Sequence, residues 1–330
     1  MITIAGAGVS GLACAYELAK RGAAVSVFET GSAPSDNPCS WFAGGMLAPW
    51  CEGESAEAEV VRLGIGALAW WREITPVVER GTLVVAPSRD RAELSRFARR
   101  TENHVMLSRD EVTNKEPALA GRFTQALFFK DEAHLDPRRA LIDLTKAIQD
   151  LGVDIRYNTP APDHVDVDCR GMAAKLPGLR PVRGEMVVVK APDVDLTRTV
   201  RFLHPRIPVY VVPRGDGIYM IGATMVESSS SRDITVRSLL ELLGAAFALH
   251  PGFGEASVIE TGVGLRPAFD DNMPKLTQVR ATSQAAPPIT THVNGFFRHG
   301  FLLAPAMAQQ LAAQFFQESF DVDHSELEIS

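Results

Sequence analysis

The chain has 330 residues, 46% of them hydrophobic and 22% charged, with a formal net charge of −7. That length allows two compact units, each with its own core, and the composition is that of an ordinary soluble globular protein. The acidic balance argues against nucleic acid or an anionic membrane as partner, and no run of about 18 uncharged apolar residues is present to form a transmembrane helix.

Residues 2 to 11 read ITIAGAGVSG. A short β-branched run feeds a glycine turn, and a helical pattern follows from Leu12 to Arg21. Gly6 allows the tight turn, Gly8 lets a pyrophosphate approach the backbone, and Gly11 lets the helix pack on the strand. Val9 and Ser10 complete the turn at the positive end of that helix, where phosphate is favoured. Ala24 to Phe28 reads as a second strand ending at Glu29, eighteen residues after Gly11. A carboxylate there, with Thr30 beside it, accepts hydrogen bonds from ribose hydroxyls and repels a ribose phosphate, which disfavours NADP. The turn alone leaves NAD and FAD both open. The apolar run from Gly6 to Leu18 lacks a basic segment before it, so it does not read as a secretion signal.

A Pro/Ser/Asn-rich loop leads to Pro38, and a helix carrying Leu63, Leu68, Trp70 and Trp71 follows. Thr82 to Val85 reads as a strand, Arg89 to Arg100 as a charged helix, and Ala126 to Phe129 as a strand. Asp136 is a helix N-cap with Pro137 at the first helical position, and that helix runs to Leu151. Gly152 to Tyr157 returns as a strand of the first sheet. Glu185 to Lys190, Val209 to Val212 and Ile218 to Ile221 read as strands, the last two joined by the hairpin Arg214-Gly215-Asp216-Gly217. Thr235 to Leu249 is an amphipathic helix, strands recur at Ser257 to Gly262 and Thr290 to Val293, and the last helix covers about 302 to 320. Four cysteines (Cys14, Cys39, Cys51 and Cys169) form no CxxC pair and no zinc spacing, so free thiols in a reducing cytoplasm and no metal site are expected.

The alternation predicts an α/β, two-domain protein: a doubly wound Rossmann nucleotide domain interrupted by a mostly antiparallel β-sheet domain. Residues 1–80, 135–190 and 256–330 are assigned to the first, and 81–134 and 191–255 to the second. A chain that returns to its nucleotide domain suits flavoproteins better than simple NAD dehydrogenases.

Three further segments read SWFAGGMLAP (40–49), GVGLRPAFDDNMP (262–274) and NGFFRHGFLLAPA (294–306). Together with GAGVSG, Glu29, HLDPRR and VYVVPR…GATM they resemble, in order over most of the chain, the glycine oxidases of thiamine biosynthesis in the D-amino-acid oxidase family. That resemblance implies FAD, a glutathione-reductase-like fold, and oxidation of glycine, with sarcosine and small D-amino acids as further substrates. Oxygen would be the acceptor and hydrogen peroxide, an imine and then glyoxylate and ammonia the products. It implies carboxylate binding by Arg266, a hydroxyl from Tyr210 to the same carboxylate, a pocket wall at Met225, and Arg298 near flavin and substrate. Ser40 would lie near the pyrophosphate, with Gly45 and Met46 in backbone contact with the flavin. The backbone from Phe297 through Arg298, His299, Gly300 and Phe301 to Leu302 would face the flavin's pyrimidine edge; the His299 side chain receives no role.

The residue chemistry agrees with part of this. Arg266 stands in an apolar run where an unpaired charge is costly, and its planar fork suits a carboxylate; an interdomain ion pair is the alternative. Two departures stand out. Residues 157 to 170 are short for the family, and Cys169-Arg170-Gly171 replaces the usual Ala-Thr-Gly. No cysteine follows Cys169, which predicts that the flavin is not covalently attached. A sarcosine-type oxidase or D-amino-acid dehydrogenase, an NAD-linked dehydrogenase and a non-catalytic flavin-binding protein are the competing readings. Homo-oligomerisation is left open.

Overall fold

The computed structural model describes residues 1–36, 38–204, 207–280 and 289–317. Two large sheets organise them. The first has six strands in the order Lys275–Arg280, Ile289–Asn294, Val167–Asp168, Ile2–Ala5, Val25–Phe28 and Asp154–Arg156. All neighbours are parallel except the outer hairpin pair of Lys275–Arg280 with Ile289–Asn294. Parallel strands need helical crossovers on both faces. Here helix Val9–Lys20 packs with Gly300–Phe316 and Pro137–Asp150 around Ile4, Leu12, Leu144, Leu303 and Leu311 in one core. Asp136 caps the last of these by accepting from Arg138 N at 2.9 Å, as its sequence predicts.

The second sheet has nine strands. Its spine, Arg180–Lys190, pairs antiparallel with Ser257–Ala268 on one edge and Ile218–Gly222 on the other. The hairpin to Val209–Gly215 leads on to Thr199–Phe202, Thr82–Val85, Gln125–Phe129 and Val105–Ser108. Helix Val236–Leu249 covers one face, setting Leu242, Ala246 and Leu249 against Val187, Val211 and Ile221. A fully buried leucine contributes about 1.5–3 kcal/mol, so this single apolar face is enough to fix the helix.

Four features differ from the sequence reading. Arg180–Lys190 and Ser257–Ala268 both lie in the nine-stranded sheet, although the ranges 135–190 and 256–330 group them with the nucleotide domain. The helix expected around Leu63 and Trp71 is two helices, Ala58–Gly64 and Ala67–Arg72, broken at the glycines. Gly64 is needed there because a Cβ on it would stand 2.9 Å from Leu302 Cγ. The last helix begins at Gly300, two residues earlier than expected, and ends at Phe316; residues 318–320 of the expected span lie outside the described ones. Strands Val105–Ser108 and Thr199–Phe202 have no sequence counterpart, because short strands with mixed exposure carry little periodicity. No helix among the described residues is long and apolar enough to cross a membrane.

Candidate active site

A cavity of about 630 Å³ runs between the two sheets, from the glycine turn to the spine of the second sheet. At its nucleotide end, Gly6 has φ +97°, and a Cβ on it would stand 3.0 Å from the Cys169 carbonyl oxygen. A Cβ on Gly11 would fall on the Gly6 carbonyl oxygen. Both glycines are therefore imposed by packing, while Gly8, Val9 and Ser10 line the cavity. Gly8 is the N-cap of the first helix and supplies no side-chain cap, so the helix terminus is open for an anion. Ser40 Oγ accepts from Val9 N at 3.1 Å, which puts that hydroxyl at the same terminus.

Glu29 stands at the end of its strand, against the turn. Its Oε2 accepts from Ala7 N and its Oε1 from Gly31 N, each at 2.8 Å, and the Thr30 hydroxyl donates to Oε1 at 3.3 Å. Neither Glu29 nor Thr30 lines the cavity itself; Glu29 reaches it only through Ala7, the neighbour of the lining residue Gly8. On the other side of strand Ile2–Ala5, Arg170 lines the cavity, with Asp168 Oδ2 accepting from its Nη2 at 2.6 Å.

The middle of the cavity is walled by Gly44, Gly45, Met46 and the start of the last helix. Gly45 has φ +69°, and a Cβ there would overlap the Leu135 carbonyl. Half-buried Arg214 pins this segment by donating to the carbonyls of Gly44 and Leu135, each at 2.8 Å, and desolvation lowers its pKa to about 10. Opposite, Gly300, Phe301 and Leu302 bring the N-terminus of the last helix to the wall. The Phe297 amide donates to Pro267 O and the His299 amide to Phe296 O, both at 2.8 Å. Of the expected stretch 297–302, the Phe297 and His299 amides are thus spent within the protein, while the first-turn amides of 300–302 stand at the open start of the helix. The cradle fits a dinucleotide with a large planar end: an open helix terminus for the diphosphate, a carboxylate on the ribose side, and a second helix start at the ring.

At the far end four sequence-predicted residues come together. Arg266 lies on strand Ser257–Ala268, whose neighbour Gly184 makes room for it: a Cβ at 184 would overlap the guanidinium. Its Nη1 donates to Thr224 O at 2.9 Å, and among the described residues no carboxylate pairs with it. Burial, together with repulsion from Arg298, pulls its pKa down. A half-buried guanidinium that lines a cavity with no carboxylate beside it suits an anionic ligand. Met225, half exposed, rims the cavity and accepts from Arg298 Nη1 at 3.7 Å.

Tyr210 lines the cavity, but its hydroxyl is engaged away from Arg266. It donates to Glu52 Oε1 at 3.0 Å and accepts from Arg201 Nη1 at 2.7 Å. Arg298 Nη2 pairs with Glu52 Oε2 at 2.6 Å and also reaches Ser55 Oγ, and His299 Nε2 lies 2.8 Å from the same Glu52 oxygen. Burial pushes the Glu52 carboxyl up, but Arg298, His299 and Arg201 outweigh it and hold it well below the usual range. Burial raises the Tyr210 phenol well above its ordinary value. Glu52, Arg201, Arg214 and Gly184 escaped the sequence reading. Arg214 stood in the VPR motif already noted; Glu52 and Arg201 had no local signal.

Residues 1–314 match the family described as FAD dependent oxidoreductase, DAO. The chain is 50% identical over 325 residues to a putative thiamine biosynthesis oxidoreductase, ThiO, of Rhizobium etli, covering 96% of this chain and 97% of the relative. It is 27% identical over 341 residues to the glycine oxidase of Bacillus subtilis, covering 92% and 89%. Among solved structures, glycine oxidase from Geobacillus kaustophilus superposes with a TM-score of 0.80 at 24% identity, over 100% of this chain and 98% of that one. The chain belongs to the DAO family of FAD-dependent oxidoreductases.

Proposed function

We propose that this enzyme oxidises glycine, with sarcosine and small D-amino acids as further substrates. The products are the imine, which hydrolyses to glyoxylate and ammonia, and hydrogen peroxide from oxygen. The names of the relatives, a thiamine biosynthesis oxidoreductase and glycine oxidases, support a place in thiazole formation, where a glycine imine is consumed. The observation that carries the reading is Arg266: a half-buried guanidinium in the cavity wall, tied to one carbonyl and to no carboxylate among the described residues. It binds the substrate carboxylate and so fixes the Cα–H against the cofactor, a contribution of orientation rather than acid–base chemistry.

Bound FAD supplies the chemistry, taking a hydride from Cα and passing two electrons to oxygen. Residues Gly6 to Gly11, Ser40 and Glu29 would hold its diphosphate and adenosine ribose, and the helix start at 300–302 would stabilise negative charge at the ring. Attachment is non-covalent: no cysteine follows Cys169 in the sequence, and the Cys39 thiol in the cavity wall donates to Leu265 O at 2.8 Å. Met225 and the half-exposed face of Arg298 close the substrate end. The chain divides into a nucleotide unit around the six-stranded sheet and a substrate unit around the nine-stranded one, with 180–190 and 257–268 in the latter. All four cysteines are free thiols, which suits a reducing cytoplasm.

The test is a visible spectrum of the purified enzyme followed by anaerobic glycine. A flavin band that bleaches with glycine and returns with air, releasing peroxide, is expected. A flavin that never bleaches with any small amino acid overturns the reading.

A further inference from the structure

Resting on the amine-oxidase reading above, we infer that Glu52 is a specificity-determining residue: it sets the charge of the substrate, admitting amines with one carboxylate and rejecting those with two.

Five charged side chains share the substrate end of the cavity: Arg201, Arg266 and Arg298 against Glu52 and Glu54. Two further lining charges, Arg170 and Glu185, are each cancelled locally, by Asp168 and by Arg183 at 2.7 Å. Glu52 occupies the centre. It takes Arg298 on one oxygen and the only proton of Tyr210 on the other. Arg201, which has donors only, meets the Tyr210 oxygen and approaches Glu54 at 3.5 Å. Arg100 also reaches Glu54 at 3.5 Å, but its side chain is 54% exposed and its charge is screened by water. The His299 imidazole, 2.8 Å from Glu52, accepts from Arg298 Nε at 3.2 Å and adds no charge in that arrangement, so three guanidinium groups against two carboxylates leave one surplus positive charge, and Arg266, tied to no carboxylate, is where it resides.

That surplus matches one substrate carboxylate. A second anion would meet Glu52 and Glu54 with no cation left to pair it, in a site where burial strengthens the repulsion. With Glu52 ionised, Tyr210 has no proton to offer a substrate oxygen either. Neutralising residue 52 raises the surplus to two and frees both Arg298 and the phenol proton to receive a second carboxylate.

The experiment uses the flavin-loaded enzyme and two ligands of the same shape, malonate and its monoamide malonamate, read by perturbation of the flavin absorbance. Wild type is expected to bind malonate at least tenfold more weakly than malonamate. In Glu52→Gln and Glu52→Ala the gap closes or inverts, while Glu52→Asp keeps it. Equal binding of the two ligands by wild type, or an unchanged gap in the Gln and Ala variants, overturns the proposal. Loss of flavin from both variants also overturns it, because Glu52 is then a folding residue. Failure of wild type to oxidise glycine would strike the amine-oxidase reading alone, since the ligand comparison needs no turnover.

Discussion

Arg266 and Gly184 occupy one volume: the guanidinium of the first lies where the second would carry a Cβ. The two stand on antiparallel neighbours, with Gly184 opposite Gly264 and Arg266 opposite Val182. A glycine in a central strand weakens it, so its presence marks a close approach, here by the Arg266 guanidinium.

Gly184→Ala should therefore displace Arg266 without emptying the flavin site. We expect a folded, yellow protein whose KM for glycine rises at least tenfold. Unchanged kinetics would mean that Arg266 has slack the packing does not show.

Arg266→Ala removes the clamp itself. Loss of one partner of a buried ion pair costs about 3 kcal/mol or more, roughly a hundredfold in substrate affinity. Anaerobic flavin reduction as a function of glycine concentration measures it, and a normal half-saturation would remove Arg266 from the site.

At the other end, Gly11→Ala places a methyl on the Gly6 carbonyl and is expected to abolish FAD retention or folding. Glu29→Ala is milder. It removes two hydrogen bonds that shape the turn as well as the proposed ribose contact, so titration of the apoprotein with FAD should show at least tenfold weaker binding. A Glu29→Ala enzyme that purifies fully loaded would exclude the ribose role.

Glu132 gives a pH dependence. It is buried, its Oε1 accepts from Cys51 N at 2.7 Å, and its Oε2 has no partner among the described residues. Burial raises its pKa from 4.5 to about 7. The folded state thus binds this proton more tightly than the unfolded chain. Its stabilising contribution is complete below about pH 4.5 and is lost as the pH rises towards 7. The shift sets a ceiling of about 3 kcal/mol. Glu132→Gln should flatten that part of the profile, seen as a smaller difference in urea midpoint between pH 5 and pH 8. The same slope in both proteins would assign the pH dependence elsewhere.

Much of the nucleotide half was legible in the residues themselves. The turn 6–11, the strand ending at Glu29 and the Asp136 cap each lie within a few neighbouring positions, so local spacing carries them. Arg266 was legible for a similar reason, as a charge in an apolar run. The helix break at Gly64–Gly66 and the sheet membership of 180–190 and 257–268 were not, because pairing partners are chosen by contacts about eighty residues apart.

The role of Tyr210 shows the division most clearly. Its position in VYVVPR identifies a strand tyrosine, and the side chain lines the cavity. Where its single proton goes is another matter. Residues 52, 201, 210 and 298 come from a short helix, two strands and a loop, and no local pattern links them. Only the closed fold places Glu52 within 3.0 Å of the phenol and 2.6 Å of Arg298. Chain-local geometry determines which residues reach the cavity; the balance of charge inside it is a sum over elements that meet only when both sheets are packed.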